Sequence, residues 1–120
     1  MQPLNVVIVS NDAQPLADSL NAHFRFVAVA RSIEEVRHAI PKHRAHLAIV
    51  DLEVANMQDV RELCHDFGHT QILCTHRIPD EEMWAQALTA GAIDCCQNAD
   101  VAGILDAVRR NVLQARANAA

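Results

Sequence analysis

No stretch of this chain approaches the roughly 20 consecutive apolar residues that a membrane-spanning helix needs, although 51% of its residues are apolar. Residues 1–5 also lack the basic and apolar regions of a secretory leader, and both absences point to a cytoplasmic protein without a membrane partner. Clustered cations are missing as well. The net charge is −5 and Arg109 with Arg110 is the only adjacent basic pair, which argues against a nucleic-acid surface in this domain. The four cysteines, Cys64, Cys74, Cys95 and Cys96, are too few and too unevenly placed for a disulfide framework, so reduced thiols fit best. The loop 10–14 has neither a glycine nor a run of hydroxyls to cradle a phosphate.

A chain of 120 residues is the size of one domain with one core. Residues 1–120 therefore read as a single domain with no linker before about Arg110. The tail 111–120 reads as frayed helix or the start of a linker.

Hydrophobic spacing alternates along the chain. Residues 4–9 form a short β-branched run, and 14–21 carry Leu16, Ala17 and Leu20 at helical spacing. Residues 26–30 read as a second strand. Ser32 to Glu35 then makes a capping-box pattern, opening a helix with Ile33, Val36 and Ile40 on one face and Pro41 as its end. After a third apolar run at 46–52, Val60, Leu63, Cys64 and Phe67 form a stripe between an N-cap at Asn56 and a glycine stop at Gly68. Residues 71–75 read as the fourth strand, Asp80 opens a helix reaching Gly91, and 92–97 form the fifth strand, placing Cys95 and Cys96 on opposite faces. Asp100 caps a last helix with Val101, Ile104, Leu105, Val108 and Val112 inward.

Five strands alternating with five helices imply an α/β, doubly wound parallel sheet covered on both faces. In the flavodoxin-like order 2-1-3-4-5, strands one and three meet at the switch point, where α/β proteins place their chemistry. Asp51 ends the third strand (HLAIVDL), so it shares a crevice with Ser10, Asn11 and Asp12, and the ends of strands four and five add Thr75, His76 and Asn98. Such a set accepts a phosphoryl group, binds a cation weakly, or only solvates a sheet edge. Spacing does not choose between these.

The succession LNVVIVSND, HLAIVDLEVANMQ, ILCTH and ALTAGAIDCCQNAD resembles the receiver domain of bacterial response regulators over nearly the whole chain. The resemblance implies that Asp51 corresponds to the aspartate phosphorylated by a histidine kinase, Thr75 to the switch hydroxyl, and Ala90, Gly91 and Ala92 to the small-residue turn before strand five. It also implies magnesium held by an acid pair after strand one together with that aspartate, and a Lys-Pro pair ending strand five. Here the sequence departs. Ser10 and Asn11 stand at the acid-pair positions with Asp12 one residue beyond, Asn98 and Ala99 replace Lys and Pro, and Cys95 replaces the switch aromatic in a chain without tyrosine.

Phosphoryl transfer depends on positioning and on cancelling negative charge, with magnesium the largest local charge. A site reduced to Asp51, Asn11 and Asp12 is a weak magnesium candidate, rescued by Asp12 only if its loop bends inward. Loss of the lysine removes the cation that would pair with the modified aspartate. His76 replaces a small residue and is expected to crowd the crevice or bond Asp51, favouring a preset site.

These features predict an atypical receiver (pseudo-receiver) in two-component or phosphorelay signalling. It acts by contact with a histidine kinase or another signalling protein, with phosphorylation of Asp51 impaired, and it is not an enzyme. One rival is a conventional magnesium-dependent phosphoacceptor; another is a small-ligand or metal-binding α/β module. Trp84, beside Met83, Ala87 and Leu88, is either a partner anchor or partly buried packing. The face of helix four, strand five and helix five, with Trp84 and Cys95, is the expected surface for a homodimer or an output domain. Cys64 with His65 and His69, and Cys74 with His76, lack repeated zinc-site spacing. Redox sensing by Cys95 and Cys96 would require an exposed thiol of lowered pKa.

Overall fold

β-branched side chains restrict χ1 and pack well on a pleated surface, and the run Val6, Val7, Ile8, Val9 extends accordingly as the core of the first strand. The computed structural model describes residues 2–113. Its elements are β1 (Gln2–Val9), α1 (Ala13–Leu20), β2 (Phe24–Ala30), α2 (Ile33–His43), β3 (Leu47–Asp51), α3 (Met57–Asp66), β4 (Gln71–His76), α4 (Glu81–Ala90), β5 (Asp94–Gln97) and α5 (Val101–Val108), followed by a π-helical turn (Arg109–Leu113). The expected tail 111–120 thus begins within that turn, and 114–120 lie outside the described residues.

All strand pairs are parallel, in the order β2-β1-β3-β4-β5. Parallel strands need crossover helices, and these cover both faces and bury every residue of β3. On one face Val7, Val9, Ala48, Val50 and Cys74 pack under α2, α3 and α4, through Val36, Ile40, Val60, Leu63 and Ala87. On the other, Val6, Ile8, Leu47, Ile49 and Leu73 pack under α1 and α5, through Leu16, Leu20, Ile104 and Val108. Cys95 joins the first layer and Cys96 lies against the second, as strand alternation requires.

Caps fix the helix starts. Asn56 Oδ1 accepts from Asp59 N at 2.8 Å while Asp59 Oδ2 accepts from Asn56 N at 3.0 Å, a complete capping box. Asp80 accepts from Met83 N and Asp100 from Gly103 N, each such cap contributing about 1 kcal/mol. At α2, Ser32 accepts from Glu35 N, but the Glu35 carboxylate takes the N–H of Arg31 rather than that of Ser32.

Two expected stops differ. Pro41 lies inside α2, which runs on to His43; its fixed φ suits a helix, and the lost N–H bond and ring crowding fall in the last turn, so the helix continues for only two residues beyond it. The end is closed instead by Arg44 at φ 50°, with Arg44 N bonded to Pro41 O and Ala45 N to Ile40 O. Gly68 does not stop α3, because Phe67 caps it at φ −123° and Thr70 N bonds back to Phe67 O. Two residues expected to face inward from α5, Val101 and Leu105, are only half-buried.

Gly91 ends α4 at φ 111°, where a side chain is strained, and a Cβ there would lie 3.0 Å from Cys64 Cβ. Gly91→Ala is expected to destabilise the fold by about 1–2 kcal/mol with an unchanged denaturant slope, measured by urea unfolding. An unchanged midpoint would contradict the tight α3–α4 approach.

Candidate functional site

The register places Val9 beside Val50 and Asp51 beside Thr75, so β1, β3 and β4 all deliver their carboxyl ends to one sheet edge. Asp51 is 2% exposed. Its Oδ2 accepts from Ser10 Oγ at 2.8 Å and its Oδ1 from Glu53 N at 2.8 Å, so both oxygens are partnered. The second bond is a local turn in which a carboxylate binds the N–H two residues on. Hydrogen bonds to a charged group contribute about 1.5–3 kcal/mol each, which makes burial of this carboxylate tolerable.

Ser10 Oγ also accepts from Asp12 N at 3.3 Å, pinning the β1–α1 loop in place. Asn11 and Asp12 are exposed, and the Asp12 side chain makes no capping bond to α1. Thr75 is 1% exposed, and its carbonyl accepts from Leu52 N at 2.8 Å. Asn98 is half-buried, and its N–H donates to His76 O. With Ser10, Asp12 and Val101 it lines a cleft of about 250 Å3 between α1 and α5.

His76 does not bond Asp51 as expected. Its Nδ1 accepts from Ile78 N at 3.0 Å, and its Nε2 lies 3.9 Å from Glu53 Oε1, which Arg77 Nε approaches at 3.5 Å. Glu53 therefore belongs to the site twice, by its N–H to Asp51 and by its carboxylate to the β4–α4 loop. Sequence reasoning missed it; its signal was only its place two residues after Asp51.

A magnesium ion at this edge would need open carboxylate oxygens converging on one point. The donor set does not fit. Each Asp51 oxygen accepts one hydrogen bond and keeps a further lone pair, but Ser10 presents its hydroxyl hydrogen to Asp51 and the Asp12 carboxylate stays in solvent, so the β1–α1 loop brings no second acid to Asp51. Among the described residues no three His, Cys, Asp or Glu side chains come together to hold a metal, the Cys64, His65 and His69 set included.

Trp84 is 47% exposed, with Nε1 donating to Asp94 Oδ1 at 3.0 Å, while Asp94 Oδ2 lies 3.6 Å from Arg110. Cys95, expected on the same partner face, is 8% exposed and forms the floor of a recess lined also by Pro79, Asp80, Glu81 and Trp84.

Burial, and then the neighbouring Asp94, push the Cys95 thiol up to about 11 and the Cys96 thiol to about 12. Burial raises Cys64 and Cys74 too. No thiol is poised for reaction in the way low-pKa cysteines are. Above the ordinary value of 9.0 the unfolded thiols ionise while the folded ones stay protonated. The unfolded state then binds fewer protons, so stability falls as pH rises from 9.0 towards 11. The chain has no tyrosine and one lysine, Lys42, so thiols dominate titration in this window. Urea unfolding at neutral and alkaline pH is expected to show this loss, and to show less of it in Cys95→Ala/Cys96→Ala; an equal loss in both proteins would contradict it.

No family model and no curated protein matches the sequence. Solved structures do match. A two-component response regulator of the LuxR family from Aurantimonas sp. SI85-9A1 superposes with a TM-score of 0.79 at 15% identity, over 91% of this chain and 84% of its own. The chain has the receiver fold. A response regulator from Thermotoga maritima gives a TM-score of 0.75 at 19% identity, over 92% of this chain and 97% of its own. A response regulator from Burkholderia pseudomallei, solved with a phosphorylated aspartic acid, a calcium ion and citrate, gives 0.77 at 22% identity, over 98% of this chain and 73% of its own. At these identities the likeness establishes the receiver fold. Among the described residues of this receiver fold, no helix is long and apolar enough to cross a membrane.

Proposed function

We propose that this receiver-fold domain is a cytoplasmic signalling module of two-component type that works through protein contacts, with phosphorylation of Asp51 impaired. The Ser10–Asp51 hydrogen bond supports this most directly. In phosphoryl transfer an attacking carboxylate must offer a lone pair while cations neutralise the negative charge on the phosphoryl oxygens. Here Oδ2 already accepts from a neutral hydroxyl that lowers its nucleophilicity, and the acids that would attract a divalent cation are replaced by Ser10 and Asn11. Asn98 brings no cation to answer a modified Asp51, and Cys95 cannot rotate as an aromatic would. The domain catalyses no reaction on an outside substrate; a histidine kinase or another signalling protein is its partner, and the exposed Trp84 is available to contact it.

A conventional phosphoacceptor draws support from one observation, the pairing of Asp51 with Thr75 across β3 and β4. Magnesium titration followed by calorimetry and Trp84 fluorescence separates the two. Impairment predicts no saturable binding in the millimolar range, and tight saturable binding would overturn it.

A further inference from the structure

Charge is distributed unevenly along the strand order of this sheet. Residues 22–46, which include β2 and α2, hold five Lys or Arg and four His against two Glu, in a chain of net charge −5. Residues 78–108, which include α4, β5 and α5, hold six Asp or Glu and no Lys, Arg or His. β2 and β5 are the two ends of the sheet, each with one edge that has no strand partner among the described residues. The molecule is therefore positive at one end of its sheet and negative at the other.

Both ends are available for contact. Arg25, Arg31, Lys42 and Arg44 are exposed on the basic end, whereas the arginines in ion pairs among the described residues are Arg37, Arg77, Arg109 and Arg110. Phe26 and Val29 are exposed on the same end at 39% and 41%, with the Phe26 ring 4.7 Å from that of His43. On the acidic end Asp80, Glu81 and Glu82 surround the start of α4, and the half-exposed Trp84 borders the recess floored by Cys95. Arg109 and Arg110 offset part of this charge but are already tied to Asp106 and Asp94.

We propose that the β2–α2 edge of one copy docks against the β5–α4 edge of a second copy, head to tail. Pairing either edge with itself would set like charges face to face, whereas the head-to-tail arrangement opposes Arg25 and Lys42 to Glu81 and Glu82 and brings Phe26 and Val29 towards the Trp84 recess. Such a contact does not close on two copies, so it grows into short linear oligomers. Exposed charges drive it, and salt weakens it.

Sedimentation velocity of the whole chain, over a concentration series at low and high ionic strength, tests this. Wild type is expected to associate at low salt and to weaken by about tenfold or more at high salt. Arg25→Gln/Lys42→Gln and Glu81→Gln/Glu82→Gln, each verified as folded by circular dichroism, are expected to lose association separately. Mixed together they should form a one-to-one pair, because each retains the edge that the other lacks. A wild type that stays monomeric throughout overturns the proposal. So does association that survives loss of the basic edge but not of the acidic one, since that pattern means self-pairing of the α4–β5 face.

Discussion

Replacing Ser10 and Asn11 together by aspartate is expected to raise the magnesium-dependent rate at which acetyl phosphate modifies Asp51 by about a hundredfold, equivalent to about 2.7 kcal/mol of barrier. Ser10 now donates its hydrogen to Asp51 Oδ2. An aspartate in its place cannot donate when ionised; it repels Asp51 until a cation lies between them. Asn11, exposed at the next position, becomes the second acid. The substitution should therefore cost stability without metal and recover it with metal, because a ligand that binds only the folded state stabilises it. Two readouts follow: intact mass after acetyl phosphate, and a melting temperature that rises with magnesium in the variant and not in wild type. A variant that neither gains phosphoryl transfer nor responds to magnesium would show that the missing acids are not what limits this site.

The largest effect on stability is expected from Leu63→Ala. Leu63 is fully buried in the layer under α2, α3 and α4, and truncation leaves a cavity that a close-packed interior fills only in part. The expected loss is about 2–5 kcal/mol, a large share of the roughly 5–15 kcal/mol that holds a domain together. Cys64→Ala, one residue on, should cost clearly less, because Cys64 is only half-buried. Urea unfolding of the two variants checks this, and equal losses would contradict the orientation of α3.

That pair also marks what the sequence made legible. The stripe Val60, Leu63, Cys64 and Phe67 announces a helix with one apolar face, but periodicity does not say that Val60 and Leu63 are sealed while Cys64 and Phe67 sit at the margin. Caps were legible because their chemistry is local: Asn56, Asp80 and Asp100 each bind the N–H three residues on. Stops were less so, since Pro41 continues its helix and Gly68 leaves the cap to Phe67. The site was legible to the level of strand ends. Asp51, Thr75, Ser10 and Asn98 come to one edge because a parallel sheet brings carboxyl ends together. Hydrogen-bond partners were not, because they depend on rotamers and loop paths. His76 turns to Ile78 and Glu53 instead of Asp51, and Glu53 entered the site through its backbone N–H, which any residue but proline would supply.

The proposed function rests on Asp51 lying between a serine hydroxyl and a backbone N–H, where as a phosphoryl acceptor it would be held rather than primed. Intact mass of the purified protein after acetyl phosphate, with and without magnesium and beside Asp51→Asn, tests this most directly. Impairment predicts little or no gain of one phosphoryl mass, with magnesium making no difference. A near-complete, magnesium-dependent gain in wild type that is absent from Asp51→Asn would contradict it.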